Sequence, residues 1–360
     1  MPPPVIVPPP PAKPPRKSRG WMVFALILLV LLCFSVLLNF GTLVEKTFSI
    51  KGVHSRTAGP RLEEVVLEDN DAASKIAVVE VSGIITSQIE QGGANVVEII
   101  KAQLKRAEED GRVKAVILKV DSPGGEVLTS DEIYRAIGDF QKQSRKPVIC
   151  SMGSLAASGG YYVSAPCRWI VANELTITGS IGVIMSTWNY RHLMDKVGVS
   201  PLVFKSGKFK DMLSGSKDPS EITDEEKQMV QALNDETFGR FKTVGAEGRG
   251  AAYEKNEQQG QKLTSDWADY ADGRVLSGTE AFKLGFVDEL GNFDVAVKRA
   301  KKIAGVSRAN LIEYQPRVDL ADLFRLFGQS DAKAIKLDLG MNMPKLEAGR
   351  LYFLPPTYLH

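Results

Sequence analysis

Apolar residues along this chain form one long run near the N-terminus and several short runs further on. The short runs are rich in β-branched residues, and amphipathic stretches separate them. The apolar runs occupy residues 75–85, 113–120 and 146–153, and the amphipathic stretches occupy residues 96–110 and 130–143. Buried strands that alternate with amphipathic helices are typical of βαβ units. The pattern therefore predicts an α/β fold in which helices cover the faces of a largely parallel sheet.

The long N-terminal run contains no charged residue from Trp21 to Val44. About 20 apolar residues are enough for a helix to cross a bilayer, so we predict an uncleaved transmembrane helix over residues 21–44. A cleaved signal peptide would have a shorter apolar region followed by a small-residue cleavage site, and neither occurs here. The run is preceded by basic residues and no acid: Lys13, Arg16, Lys17 and Arg19. The positive-inside rule then predicts a cytoplasmic N-terminus and an extracytoplasmic body.

Composition indicates the remaining boundaries. Residues 1–20 are rich in proline and are predicted to form a disordered cytoplasmic tail. Residues 45–74 carry acids, glycine and proline, which is typical of a linker between the membrane and the body. We expect the body to occupy residues 75–305 and a C-terminal extension to occupy residues 306–360.

Charge and cysteine usage exclude some classes of function. The net charge is +2 and the body contains no long basic run, so we expect no nucleic-acid partner. The 3 cysteines include no CxxC pair, which argues against a zinc site and a disulfide framework.

Small residues crowd around Ser158 in the segment SMGSLAASGGYYVSAPC, residues 151–167. A strand is predicted to end here and turn into a short helix. Such a turn exposes a serine hydroxyl and brings backbone N–H groups close to a substrate carbonyl. The same composition is also typical of a helix packed closely on a sheet, and composition alone gives the two interpretations about equal weight.

A serine nucleophile needs a base, and the chain offers few histidines. Only His54, His192 and His360 occur, so a Ser-His-Asp triad is weakly supported. A neutral lysine is the other candidate, since burial or a nearby positive charge lowers the pKa of an ammonium group. The segment VFKSGKFKDML contains three lysines, Lys205, Lys208 and Lys210, and their chemistry alone does not distinguish among them.

Five motifs occur in order along the body. They are DSPGG (121–125), MGSLAASGGYY (152–162), TGSIGVI (178–184), SGKFKDM (206–212) and DGRVLSGTEAFKLGFVDELG (272–291). In these motifs the body resembles signal peptide peptidase A in its short, single-repeat form, an S49 serine peptidase with a ClpP/crotonase-like fold. The resemblance implies that Ser158 is the nucleophile and Lys210 the general base. It further implies that Gly125 and Gly159 supply oxyanion-hole N–H groups, that Ser180 orients Lys210, and that no metal or nucleotide cofactor is needed.

The resemblance also implies partners and a location. We expect cleaved signal peptides and other apolar peptides as substrates, membrane lipid around the anchor, and a homo-oligomer, with an octamer suggested, whose active site draws on neighbouring subunits. The expected location is the bacterial plasma membrane. Alternatives are a peptidase of the same fold that acts on intact membrane proteins, a crotonase-like acyl-CoA enzyme, and a non-enzymatic membrane scaffold.

The C-terminal extension allows two interpretations. It contains an amphipathic segment, VDLADLFRLF, and ends in an apolar tail, GRLYFLPPTYLH. We expect a helix that packs against another subunit, followed by a loose terminus. The alternative is that the apolar tail enters an active-site groove, where it regulates the enzyme or is trimmed by it.

Overall fold

The computed structural model of the chain describes residues 24–32, 35, 60–89, 94–316 and 352–353. Two compact units are present, Met1–Ala58 and Gly59–His360. In the first unit, residues 24–32 form a helix, α1. The predicted tail of residues 1–20 and the rest of the predicted span 21–44, apart from Ser35, lie outside the described residues. Within the described residues, no helix combines the length and the apolar character needed to cross a membrane.

The second unit is built on a 10-stranded sheet of described residues. Its strands are β1 (Leu62–Glu68), β2 (Lys75–Ile85), β3 (Val113–Glu126), β4 (Val148–Ala157), β5 (Trp169–Ala172), β6 (Ile177–Gly179), β7 (Val275–Ser277), β8 (Glu289–Leu290), β9 (Asn310–Pro316) and β10 (Tyr352–Phe353). The main strand order is β1-β9-β2-β3-β4-β5-β8; β6 pairs with β4 and β7, and β10 pairs with β3. All neighbours from β9 to β8 in this order are parallel, whereas β1–β9, β6–β7 and β10–β3 are antiparallel. The prediction of an α/β fold with a largely parallel sheet is confirmed.

Helices cover both faces of this sheet. They are α2 (Val96–Glu109), α3 (Val127–Ser144), α4 (Gly159–Ser164), α5 (Arg191–Lys196), α6 (Asp224–Lys255), α7 (Gly278–Lys283) and α8 (Phe293–Ile303), with 3-10 turns at Pro219–Glu221 and Trp267–Tyr270. Successive residues of β3 point to opposite faces: Val116 joins the core that includes α2, α3 and α4, whereas Ile117 joins the core under α8. Because both faces of the strand are covered, β3 is an almost continuous apolar run.

Strands also form outside the range 75–305 that was expected to hold the body. β1 lies in the predicted linker and pairs antiparallel with β9, which lies in the predicted C-terminal extension and runs parallel to β2. β1 carries three glutamates and leaves Val66 half exposed, so its sequence resembles a linker more than a buried strand. Charged residues of this kind are typical of edge strands, where they discourage pairing with other chains.

One buried ion pair ties the long helix α6 to the body. The Arg249 guanidinium pairs with the Asp288 carboxylate, and both side chains are almost fully buried. Arg249 also donates to the Cys167 carbonyl oxygen at 3.0 Å, and Asp288 accepts from the Ile170 backbone N–H at 2.8 Å. The pair is therefore hydrogen-bonded to the backbone on both sides, as a buried charge requires.

We expect Asp288→Ala to lower the free energy of unfolding by about 3–5 kcal/mol, because it leaves the Arg249 charge buried without its partner. Asp272→Ala is the matched control. Asp272 pairs with Arg274 at the surface, where both side chains are about half exposed, so little change is expected. Urea unfolding followed by circular dichroism measures both variants. Equal stability of the two would contradict a structural role for the buried pair.

Candidate active site

The carboxyl ends of β3 and β4 meet at one edge of the sheet. The two strands are parallel, with Ser122 paired to Ala156. The DSPGG motif forms the end of β3, and Ser158 follows the last residue of β4. Ligands of parallel α/β sheets bind at this edge, so the fold brings two sequence motifs to a position suited to a site.

Ser158 occupies a strained turn between β4 and α4. Its backbone has φ 53° and ψ −116°, a conformation that residues with a side chain rarely adopt. The Ser158 N–H donates to the Gly179 carbonyl at 2.8 Å, and the Ser158 carbonyl accepts from the Tyr162 N–H at 2.8 Å. The turn is thus held from both sides. The Ser158 hydroxyl is buried and has no hydrogen-bond partner in the described part of the chain, which is uncommon for a structural serine.

Glycines allow the DSPGG turn to pack directly against the start of α4. A Cβ atom on Gly159 would lie 3.0 Å from the Gly125 backbone nitrogen, and one on Gly160 would lie 2.7 Å from the Ser122 carbonyl oxygen. A Cβ atom on Gly125 would lie 1.9 Å from the Ile85 carbonyl oxygen. None of the three positions has room for a side chain. The backbones of Gly125 and Gly159, the two predicted oxyanion-hole donors, are therefore neighbours beside Ser158.

Pairing of β6 with β4 places Ser180 beside Ser158. β6 runs parallel to β4 with Gly179 paired to Ala157, so the next residues in register are Ser180 and Ser158. Ser180 is buried, has φ 49°, and donates its N–H to the Arg274 carbonyl at 2.7 Å. The structure accordingly brings together four of the five predicted site residues.

Lys210 is the exception. It lies in an exposed turn, and its N–H contacts the Gly207 carbonyl at 3.4 Å. Among the described residues, its ammonium group forms no hydrogen bond or ion pair, and none joins it to Ser158.

The three candidate lysines nevertheless differ in a way that the sequence could not show. Lys205 pairs with Asp211 at 2.7 Å, and Lys208 pairs with Glu225 at 2.6 Å. The ammonium groups of these two lysines are thus held by carboxylates of this chain. Lys210 has no such partner within the described ranges. His192 is 74% exposed on α5 and faces Asp195, so it offers no triad with Ser158.

Two tyrosines after Ser158 anchor α4 in the core. The Tyr161 ring packs edge-on against Phe286, and the Tyr162 hydroxyl donates to Asp131 at 2.7 Å. Burial raises the pKa of Tyr162, and the carboxylate beside it adds to this effect. Burial alone would raise the pKa of Asp131, but the hydrogen bonds from Tyr162 and Arg135 lower it overall. Tyr162 therefore remains a hydrogen-bond donor near neutral pH and holds α4 in place.

An extended segment of the chain itself lies beside Gly125. Strand β10 pairs antiparallel with the end of β3, with Phe353 opposite Gly125 and Tyr352 opposite Glu126. On its other side, Tyr352 exchanges backbone hydrogen bonds of 3.1 and 3.2 Å with Ile184. In this cleft between Gly125–Glu126 and Ile184, residues 352–353 of the same chain are held by main-chain hydrogen bonds, the geometry of β-augmentation. The sequence analysis did not identify Glu126 or Ile184 as site residues.

Cavities line both sides of the cleft. One of about 510 Å³ includes Ser180, Val183 and Phe238 among its lining residues. Another of about 750 Å³ includes Glu126, Leu128, Met185 and Leu233. Both volumes are in the range that accommodates a ligand group.

Comparisons with known proteins identify relatives of this chain. The Peptidase family S49 sequence profile matches residues 140–307. The chain is 40% identical over 232 residues to Putative protease slr0021 of Synechocystis sp., covering 64% of this chain and 75% of that protein. It is 36% identical over 261 residues to Putative signal peptide peptidase SppA of Enterococcus faecium, covering 71% of each protein. A solved structure of a mutant 1510-N membrane-bound stomatin-specific protease aligns with a TM-score of 0.37 and 17% identity over 63% of this chain and 85% of the other.

The aligned regions include 75% of the Synechocystis protein and 71% of the Enterococcus protein. The region that matches the S49 profile includes Ser158 and the segment that follows it. The chain therefore belongs to peptidase family S49 and is a serine protease.

Proposed function

We propose that this serine protease is a membrane-anchored endopeptidase of ClpP/crotonase-like fold that degrades cleaved signal peptides and other apolar peptides with a Ser158–Lys210 dyad. The main support is the position of the Ser158 hydroxyl. It lies on a strained turn next to the Gly125 backbone, where an extended segment of the chain already pairs with β3. A peptide bound along the same path would have its carbonyl groups close to a nucleophile and to backbone donors.

The proposed reaction is acyl transfer. Neutral Lys210 takes the proton from the Ser158 hydroxyl, and the oxygen attacks the carbonyl carbon of the scissile peptide bond. The backbone N–H groups of Gly125 and Gly159 donate to the oxyanion that forms. Lys210 then gives its proton to the departing amine as the C–N bond breaks. Water, deprotonated by Lys210, hydrolyses the ester on Ser158 and regenerates the hydroxyl.

Apolar side chains along the cleft support apolar peptides as substrates. Val183 and Phe238 line the smaller cavity, and Leu128, Met185 and Leu233 line the larger one. Successive side chains of an extended peptide point in opposite directions from its backbone. Both cavities would therefore receive substrate side chains. A thioester of coenzyme A has no row of backbone amides to pair with β3 and Ile184, which favours a peptide over the acyl-CoA alternative.

We further propose that a neighbouring copy completes the dyad. The segment before Lys210 exposes large apolar side chains, including Trp188 at 73%, Leu202 at 82% and Phe204 at 88% exposure. Exposed apolar surface of this extent is typical of a protein interface. Burial of this segment against the next subunit would place Lys210 near that subunit's Ser158 and remove water from its ammonium group. Repeating the contact closes a ring, and the resemblance suggests eight copies.

The anchor follows from the sequence pattern. Residues 21–44 would cross the bacterial plasma membrane with the N-terminus in the cytoplasm, and the peptidase would act on the outer side. Signal-peptide remnants released into this membrane would then reach the cleft.

We expect Ser158→Ala and Lys210→Ala each to lower kcat/KM on an apolar fluorogenic peptide by several orders of magnitude, because each removes one half of the dyad. Ser154→Ala and Lys208→Ala are matched controls that change an exposed serine and an ion-paired lysine nearby. Both should stay within a few-fold of the unchanged protein. Near-normal activity of either dyad variant would refute the assignment.

Mixing the two inactive variants tests whether the dyad forms between subunits. Equal amounts of Ser158→Ala and Lys210→Ala protein, dissociated and reassembled, should regain about a quarter of full activity, because a head-to-tail contact pairs an intact serine with an intact lysine at that frequency. A dyad formed within one subunit predicts no recovery. The oligomer is checked by light scattering in the same samples.

Removing the tail should make the cleft more accessible. We expect deletion of residues 350–360 to lower KM for a short apolar peptide several-fold, since a tethered segment competes with substrate at high effective concentration. Tyr352→Pro should have the same effect, because proline lacks the N–H that bonds to Ile184. Unchanged KM in both variants, with the C-terminus of the unchanged protein shown to be intact by mass spectrometry, would exclude competition by the tail.

A further inference from the structure

A row of alternating charges joins the turn that carries Lys210 to the start of α6. This turn, residues 207–214, is the base turn. Asp211 follows Lys210 directly and forms an ion pair with Lys217 at 3.8 Å. Lys217 in turn pairs with Glu226 at 2.7 Å, and the two side chains are only 11% and 2% exposed. The link between the base turn and α6 is therefore largely shielded from water.

Glu226 is held firmly at its own end of this row. One of its carboxylate oxygens accepts from the Lys217 ammonium group, and the other accepts from the Thr223 N–H at 2.8 Å. The Thr223 hydroxyl accepts from the Glu226 N–H at 3.2 Å, which completes a capping box at the start of α6. Near the other end of the helix, Arg249 forms the buried ion pair with Asp288. The helix is thus fixed to the body, and its first turn is a firm support for the base turn.

The other ion pairs of the base turn hold it less firmly to α6. Lys208 pairs with Glu225 at 2.6 Å, but both side chains are exposed, so water and salt screen the attraction. Lys205 pairs with Asp211 at 2.7 Å, a contact between neighbouring residues that does not reach the helix. The ion pairs of Lys217 therefore provide the buried link between the base turn and α6.

A general base must lie within hydrogen-bond distance of the proton that it removes. Lys210 is exposed, so the position of its ammonium group depends on the backbone of the base turn. We infer that Lys217 is a positioning residue, whose two ion pairs hold the base turn against α6 so that Lys210 reaches the serine it activates. The inference rests on the proposed role of Lys210 as the base. Lys217 itself exchanges no proton with the substrate.

The same helix lines the smaller cavity, but at a different place. Gln231, Asn234 and Phe238 line that cavity and lie more than one helical turn beyond Glu226. Loss of the Lys217 charge would release the base turn and leave these residues in place, because the capping box and the Arg249 ion pair still fix the helix. Chemistry should therefore slow while peptide binding stays the same.

Lys217→Met tests the inference, because methionine keeps an unbranched apolar side chain and removes the charge. On the apolar fluorogenic peptide we expect kcat to fall about 100-fold, the effect of a displacement of about 1 Å, with KM changed less than about twofold. Lys217→Arg keeps the positive charge and should restore kcat to within about tenfold of the unchanged protein. Lys208→Met is the matched control, since it breaks an exposed ion pair between the same turn and the same helix. Both of its constants should stay within a few-fold of the unchanged protein.

A second variant separates positioning from a loss of folding. Glu226→Gln removes the negative charge that faces Lys217, and glutamine can still close the capping box with Thr223. It should lower kcat about tenfold at unchanged KM, the effect of one weakened hydrogen bond between charged groups. Circular dichroism checks the fold of each variant, and light scattering checks its assembly. If Lys217→Met does not fold, Glu226→Gln decides the question.

The outcomes distinguish this inference from the proposed function. Unchanged kcat in folded Lys217→Met or Glu226→Gln protein would overturn the positioning role. A lower kcat that Lys217→Arg does not restore, or one that comes with a raised KM or a lost oligomer, would also overturn it, because the residue would then have a general structural role. Full activity of Lys210→Ala would instead overturn the proposed dyad, whatever the result for Lys217.

Discussion

Close contact between two backbone segments is the constraint on which the site depends. The DSPGG turn at the end of β3 packs against the start of α4 because Gly159 and Gly160 leave no room for a Cβ atom there, and Gly125 packs equally closely on the backbone of Ile85. Only this approach brings the Gly125 N–H beside Ser158. It also forces the chain to turn sharply at Ser158, and the positive φ at that serine is the local consequence.

The surrounding sheet supplies the rigidity that a strained turn requires. β3, β4 and β6 lie side by side, and their register places Ser122, Ala156 and Thr178 in adjacent positions. Apolar cores on both faces of β3 and β4 bury these strands, and the Tyr162–Asp131 hydrogen bond fixes α4 above them. Strain of about 1–3 kcal/mol at one residue persists only where the neighbouring structure holds it in this way.

The proposed nucleophile and the proposed base have contrasting environments. Ser158 is buried, whereas Lys210 lies in an exposed turn that follows a surface rich in apolar side chains. A lysine in water stays charged and cannot act as a base, so the proposed chemistry requires this turn to be covered.

Much of the fold follows from local sequence. The apolar runs at 75–85, 113–120 and 146–153 correspond to β2, β3 and β4, because a strand buried on both faces must be apolar throughout. β1 was not predicted, since an edge strand is stabilised by its partner β9 and three of its seven residues are glutamates. The residue types indicated Ser158 as a candidate nucleophile but did not distinguish Lys205, Lys208 and Lys210 as candidate bases. In the structure, Lys205 and Lys208 form ion pairs with Asp211 and Glu225, which the residue types alone do not reveal. The adjacency of Ser180 to Ser158, and of Tyr352 to Glu126, likewise depends on strand register, which a sequence read residue by residue does not contain.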